Sequence, residues 1–142
     1  MIAATEVTKR YGAFDALRGV SFEAGLSNRK SVLGAEHVER SLARAGAFSM
    51  PWQDFITRTA WGDVWQRPGL ARRDRSLMTL SITIALRHWD EFALHVRAAK
   101  NNGLTDDEIA EVIQHAAVYA GVPSANHAFT VAASILEELR GD

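Results

Sequence analysis

From Ser76 to Leu86 the chain reads Ser-Leu-Met-Thr-Leu-Ser-Ile-Thr-Ile-Ala-Leu, apolar nearly all the way round a helical wheel. A helix of that kind belongs in an interior or a subunit seam, and this constrains the fold more than any other stretch. The spacing predicts one long central helix from about Arg72 to Lys100. Asn101-Asn102-Gly103 would close it, since Asn or Gly takes the left-handed conformation that ends helices. On such a helix His88, Glu91 and His95 fall three and four residues apart, and at about 3.6 residues per turn they leave one face. Titratable groups delivered to an interior need a reason to be there.

The remainder is helical as well. A first helix is expected over about Ala35 to Ala45, with Val38, Leu42 and Ala45 inward and Glu36, Glu39, Arg40 and Arg44 outward. Met50-Pro51 opens another, proline suiting a first turn; it carries Trp52, Phe55, Trp61 and Trp65 and stops at Arg67-Pro68-Gly69-Leu70. Thr105-Asp106-Asp107-Glu108 is a capping box and starts a helix from Asp106 to about Ala120. Gly121-Val122-Pro123 interrupts, and Ser124 through Leu139 forms the last helix. No stretch alternates with period two, so the fold class is all-α, a bundle of about five helices without internal repeats.

Composition narrows the partners. At 142 residues and 47% hydrophobic content the chain is long enough to close a core. Lys+Arg 16 against Asp+Glu 17 leaves a net charge of -1, so no global pull toward nucleic acid or anionic membrane is expected. The absence of cysteine excludes disulfides, thiolate metal sites and thiol redox catalysis. No apolar run is long enough to span a bilayer and no signal-peptide core is visible, which makes the cytoplasm the default expectation. Arg67, Arg72, Arg73 and Arg75 read either as an anion-binding cluster or as solvated and ion-paired arginines. His37 and Asn126 read as structural, and the tryptophans most simply as core.

The first residues differ in kind. Glu6 through Glu23 resembles the opening strands of ABC-transporter ATPase domains, yet no GxxxxGK[ST] loop follows within the chain. The backbone amides and lysine that surround a nucleotide's phosphates are therefore missing. Residues 1–26 are expected to be a peripheral, poorly ordered extension of a domain spanning 27–142.

On residue chemistry alone, a His-Glu-His face is a structural hydrogen-bond network or an acid–base site. A metal site is the third option. Three ligands spread over two turns of one helix rarely converge on one ion, so no metal is expected.

The chain carries Val32-Leu-Gly-Ala-Glu-His-Val-Glu-Arg-Ser41, Phe55-Ile-Thr-Arg-Thr-Ala-Trp-Gly-Asp-Val-Trp-Gln-Arg-Pro-Gly-Leu70, Arg75-Ser-Leu77, Leu94-His-Val-Arg-Ala-Ala99, Asn102-Gly103 and Tyr119-Ala-Gly-Val-Pro-Ser-Ala-Asn126. In this order and spacing the sequence resembles the carboxymuconolactone decarboxylase family. The resemblance implies a compact helical bundle of the alkylhydroperoxidase type, assembled as a homo-oligomer, a hexamer or trimer. Alkylhydroperoxidase-type relatives carry Cys-x-x-Cys-x-x-x-His on the central helix. Here the cysteine positions fall on His88 and Glu91, the histidine is kept as His95, and a carboxylate of those relatives falls on Ser76. Peroxidase chemistry through a thiolate is excluded.

The implied reaction is cofactor-free decarboxylation of 4-carboxymuconolactone to 3-oxoadipate enol-lactone and carbon dioxide, a step of protocatechuate catabolism. The lactone is its own electron sink, so the protein must stabilise an oxyanion and deliver one proton to carbon. The resemblance and this chemistry together point to His95 as general acid, its ordinary pKa lying near working pH, with Glu91 orienting it and His88 as oxyanion donor or second shuttle. Arg75 or Arg97 would anchor the acetate arm. Trp61, Trp65 and Tyr119 would wall the pocket, and His115 and His127 would approach it from the same or a neighbouring subunit. A related lactone or small acid as substrate, or a catalytically silent oligomeric binding module, stays open.

Overall fold

The structure is a computed structural model that describes residues 21–141 and the backbone of residues 10–11 and 14–15. That backbone forms a short antiparallel pair, β1 (Arg10–Tyr11) and β2 (Phe14–Asp15), in register Arg10 with Asp15. Most of the expected extension, and with it most of the ATPase-like run, lies outside the described residues. The chain divides into two compact units, Met1–Gly69 and Leu70–Asp142.

In the first unit helix formation starts earlier than the sequence spacing suggests. α1 (Phe22–Leu33) begins at Ser21, whose hydroxyl accepts from the Ala24 amide at 3.0 Å, a side-chain N-cap. Its buried positions are Gly25, Asn28, Arg29, Val32 and Leu33, so polar residues interrupt the apolar stripe that would reveal it. α2 (Ala35–Ala43) buries Val38 and leaves Glu36, Glu39, Arg40 and Arg44 exposed, as its periodicity predicts.

The helix opened by Met50-Pro51 is not uniform. α3 (Met50–Ile56) passes into a π-helical segment, Thr57–Asp63, and then a short 3-10 turn, Val64–Gln66. α1 packs on the π segment. Asn28 Nδ2 donates to the Trp61 carbonyl at 2.9 Å, and Arg29 Nη1 donates to Gln53 Oε1 at 2.8 Å and Thr57 Oγ1 at 3.1 Å. A π segment leaves main-chain groups out of α register, and side-chain bonds from a neighbouring helix are one way to satisfy them.

The second unit is a four-helix bundle. The expected central helix is two helices: α4 (Arg72–Leu86) and α5 (Trp89–Asn101), parted at Arg87 and His88. α6 (Asp106–Ala120) and α7 (Val122–Gly141) complete it. α4 packs on α5 and α6, and α7 on α5 and α6. The core joins Leu80 and Ile84 to Phe92, Val96, Ile109 and Ile113, each worth about 1.5–3 kcal/mol on burial. Small residues at Ala125, Ala128 and Ala132 form one buried stripe of α7.

α4 carries its hydroxyls inside a helix by returning them to the preceding turn. Thr79, Ser81 and Thr83 donate to the carbonyls of Arg75, Leu77 and Thr79 at 2.8, 3.0 and 2.8 Å. Only one face of this helix is covered. Met78, Ile82 and Leu86, spaced by four, are 48%, 51% and 58% exposed. The Thr105–Glu108 capping box forms in both directions, with bonds of 2.9 and 3.1 Å. No described helix is long and apolar enough to cross a membrane.

Candidate functional site

The parting of α4 and α5 decides where the His-Glu-His trio goes. Arg87 ends α4 at φ 59, ψ 35, in the left-handed region. Its amide reaches back to Ile84 O at 3.1 Å and the His88 amide to Thr83 O at 2.9 Å, the paired bonds of a Schellman motif. α5 ends in the same motif, Gly103 at φ 86 bonding to Lys100 O and Leu104 to Ala99 O. Glycine adopts that conformation without strain, whereas a side-chain residue there costs about 1–2 kcal/mol.

His88 is therefore the N-cap of α5, at φ -84 and ψ 79, and not a member of one helix face with Glu91 and His95. Its side chain makes no cap hydrogen bond and is exposed. Glu91 lies in the first turn of α5, where the helix dipole favours a carboxylate, and His95 stands one turn on.

Burial pushes the His95 imidazole down to about 4, against a smaller upward pull from the Glu91 carboxylate. At neutral pH His95 is therefore an uncharged ring, held below the ordinary histidine value for which it was singled out as an acid. Ser76, buried on α4, accepts a bond from Asn102 Nδ2 at 2.8 Å, so this hydroxyl serves the α5 C-terminus.

The other candidate residues separate into distinct places. His127, on α7, meets the Trp89 ring at 4.4 Å between centroids, which ties the start of α7 to the residue after His88. Ser124, one turn before it, accepts from Arg87 Nε at 3.3 Å. His115 and Tyr119 pair on α6 with centroids 5.1 Å apart, and Tyr119 is 80% exposed. His115 also lines a groove of about 720 Å³ between α4 and α6, with Met78, Ile82 and Glu111.

Of the two expected anchors, Arg97 is ion-paired to Glu138 on α7, and Arg75 is half-buried near the start of α4. Arg73 pairs with Glu108. Trp61 and Trp65 belong to the first unit, Trp61 buried, with ring centroids 5.1 Å apart. Trp52 is 58% exposed and so is not core within the chain. Arg87 was not among the expected site residues; an arginine inside a continuous helical pattern gives no signal of a left-handed turn.

Comparison with known proteins places the sequence in a family. The model of the carboxymuconolactone decarboxylase family matches residues 51–134. A nitrosuccinic acid decarboxylase of Metarhizium robertsii is 47% identical over 125 residues, covering 88% of this chain and 87% of that protein. A 4-carboxymuconolactone decarboxylase of Acinetobacter baylyi is 46% identical over 118 residues, covering 83% and 88%. Another 4-carboxymuconolactone decarboxylase, from Pseudomonas putida, is 43% identical over 42 residues, 30% of this chain and 88% of that sequence. The family match and the similarity over most of the chain agree with the helical bundle: the chain belongs to the carboxymuconolactone decarboxylase family.

Proposed function

We propose that this chain is a cofactor-free decarboxylase of small dicarboxylic acids in which the departing carboxylate sits on a carbon conjugated to an electron sink, with 4-carboxymuconolactone as substrate. The observation that carries the reading is His95, half-buried and uncharged, one turn from the Glu91 carboxylate in a chain of this family.

Two substrate chemistries meet in this class. In the lactone, the pair released from the breaking carbon–carbon bond runs through the ring double bond into the lactone carbonyl. In nitrosuccinic acid it runs into the nitro group. Both molecules keep a second carboxylate on a methylene arm. Nitrosuccinate is the second reading, favoured by the relative that is 47% identical and named for it.

His95 enters the reaction neutral. A dianionic substrate beside it stabilises the imidazolium, so binding draws a proton onto the ring. Loss of carbon dioxide then leaves a dienolate, and the ring proton passes to the carbon alpha to the carbonyl, which restores neutral imidazole. Glu91 holds the imidazolium through its charge, and His88 and His127 are the proposed donors for the oxyanion. No metal is needed for electron flow that the substrate itself accepts.

The bare stripe Met78, Ile82 and Leu86 supports a homo-oligomer, because a monomer rarely leaves such a row to water. The test of function is carbon dioxide release from 4-carboxymuconolactone and from nitrosuccinate, with chelator present and His95→Ala as comparison. Release by the wild type alone is expected; no release from either acid by a folded oligomer overturns the reading.

A further inference from the structure

We propose that Arg87 is a substrate-binding residue, its guanidinium gripping the carboxylate that the substrate retains on its methylene arm. This rests on the decarboxylase reading above and names the anchor that reading requires.

The first support is backbone strain. Arg87 is the one positive-φ residue other than glycine among the described residues. It holds the turn between α4 and α5 in a motif that Gly103 performs without a side chain at the end of α5. Non-glycine residues are uncommon in that region and cluster at functional sites.

The second is charge. Around the bundle, Arg73, Arg97 and Arg140 are paired to Glu108, Glu138 and Asp106. Arg87 has no carboxylate partner among the described residues. Its contact is the neutral Ser124 hydroxyl, which takes Nε and leaves both terminal nitrogens available. That is the edge that binds a carboxylate in bidentate fashion.

The third is place. Arg87 directly precedes His88, and two contacts draw the α4–α5 junction onto the start of α7: Arg87 with Ser124 and Trp89 with His127. Arg87, His88 and His127 therefore share one end of the bundle, and all three are exposed within the chain. A cation and two imidazoles grouped there suit a dianion better than they suit folding. Arg97, by contrast, would have to surrender Glu138.

The experiment compares wild type with Arg87→Asn, Arg87→Lys and Arg87→Gly. Asparagine and glycine tolerate the left-handed turn, so both variants are expected to fold, with a melting temperature equal to wild type or a few degrees higher. Two readouts are taken: KM and kcat for carbon dioxide release, and calorimetric titration with succinate, a dicarboxylate without an electron sink. Loss of the guanidinium is expected to raise KM, and to weaken succinate, by roughly 10- to 100-fold, with kcat changed far less and Arg87→Lys in between. A folded Arg87→Asn protein with KM and succinate affinity within about twofold of wild type overturns the proposal. Should wild type release carbon dioxide from neither acid, the decarboxylase reading fails, and succinate still decides Arg87: binding lost in Arg87→Asn sustains the anchor, and binding unchanged or absent in wild type removes it.

Discussion

Glu91 stands one helical turn before His95 on α5, an exposed carboxylate ahead of an imidazole that burial holds at about 4. The folded-state value lies below that of an unfolded histidine, about 6.5. Between the two values the unfolded chain binds a proton that the folded chain refuses, so stability rises with pH across that window and is level above it. Acidification from pH 7 to 4 should cost up to about 3 kcal/mol through this residue. Chemical denaturation at several pH values tests it. His95→Gln, which does not titrate, should remove most of that slope; an unchanged slope would place the acid sensitivity elsewhere.

On the proposed mechanism the same pair governs turnover. His95→Ala should lower kcat/KM for carbon dioxide release by about 10²- to 10⁴-fold, the usual loss of a general acid. Glu91→Gln removes the influence that raises the His95 pKa, so the imidazolium of the substrate complex becomes less stable. The fall of kcat with rising pH should then move to lower pH, with kcat reduced at neutrality. Glu91→Gln with a profile superimposable on wild type would end its role as a tuning carboxylate.

How far the sequence could be read depended on the kind of signal. Helices marked by caps were legible, since Thr105, Glu108 and Gly103 state their roles in single residues: α6 spans Asp106–Ala120 as expected. The break at Arg87 was not, because apolar periodicity runs through it and nothing in an arginine announces a left-handed turn. That error joined His88 to a helix face it caps instead. α1 is hidden in the sequence because Asn28 and Arg29 are buried on it, and the π segment because the bonds it makes with Asn28 and Arg29 join residues about thirty apart in the chain. At the candidate site, residue types were legible and electrostatics were not: the burial that lowers the His95 pKa is a property of the packed fold.

Gly25 on α1 shows how closely the first unit is fitted. A β-carbon there would lie 2.3 Å from the Thr57 carbonyl oxygen and 3.1 Å from the Gly62 amide nitrogen, both main-chain atoms of the π segment. Neither can swing aside as a side chain does, so α1 and the π segment would have to separate. Gly25→Ala should therefore destabilise by about 1–3 kcal/mol, although alanine is the better helix former by nearly one. Thermal denaturation checks it, with Gly46→Ala as control, because a β-carbon at Gly46 meets nothing within 4 Å. A Gly25→Ala protein as stable as wild type would show that the α1 packing yields easily.

The uncovered row on α4 makes the last prediction. Ile82 is 51% exposed, between Met78 and Leu86 on the same face, and lines the groove toward His115. In a homo-oligomer seated on this face, a carboxylate at Ile82 would be buried without a partner, a penalty of several kcal/mol per interface. In a monomer the same change meets water and costs almost nothing. Light scattering of the wild type should report a stable oligomer, and Ile82→Asp should shift it to smaller species while the helical circular-dichroism signal persists. If Ile82→Asp keeps the wild-type mass, this face of α4 is not the contact, and a stable monomer in the wild type would remove the assembly altogether.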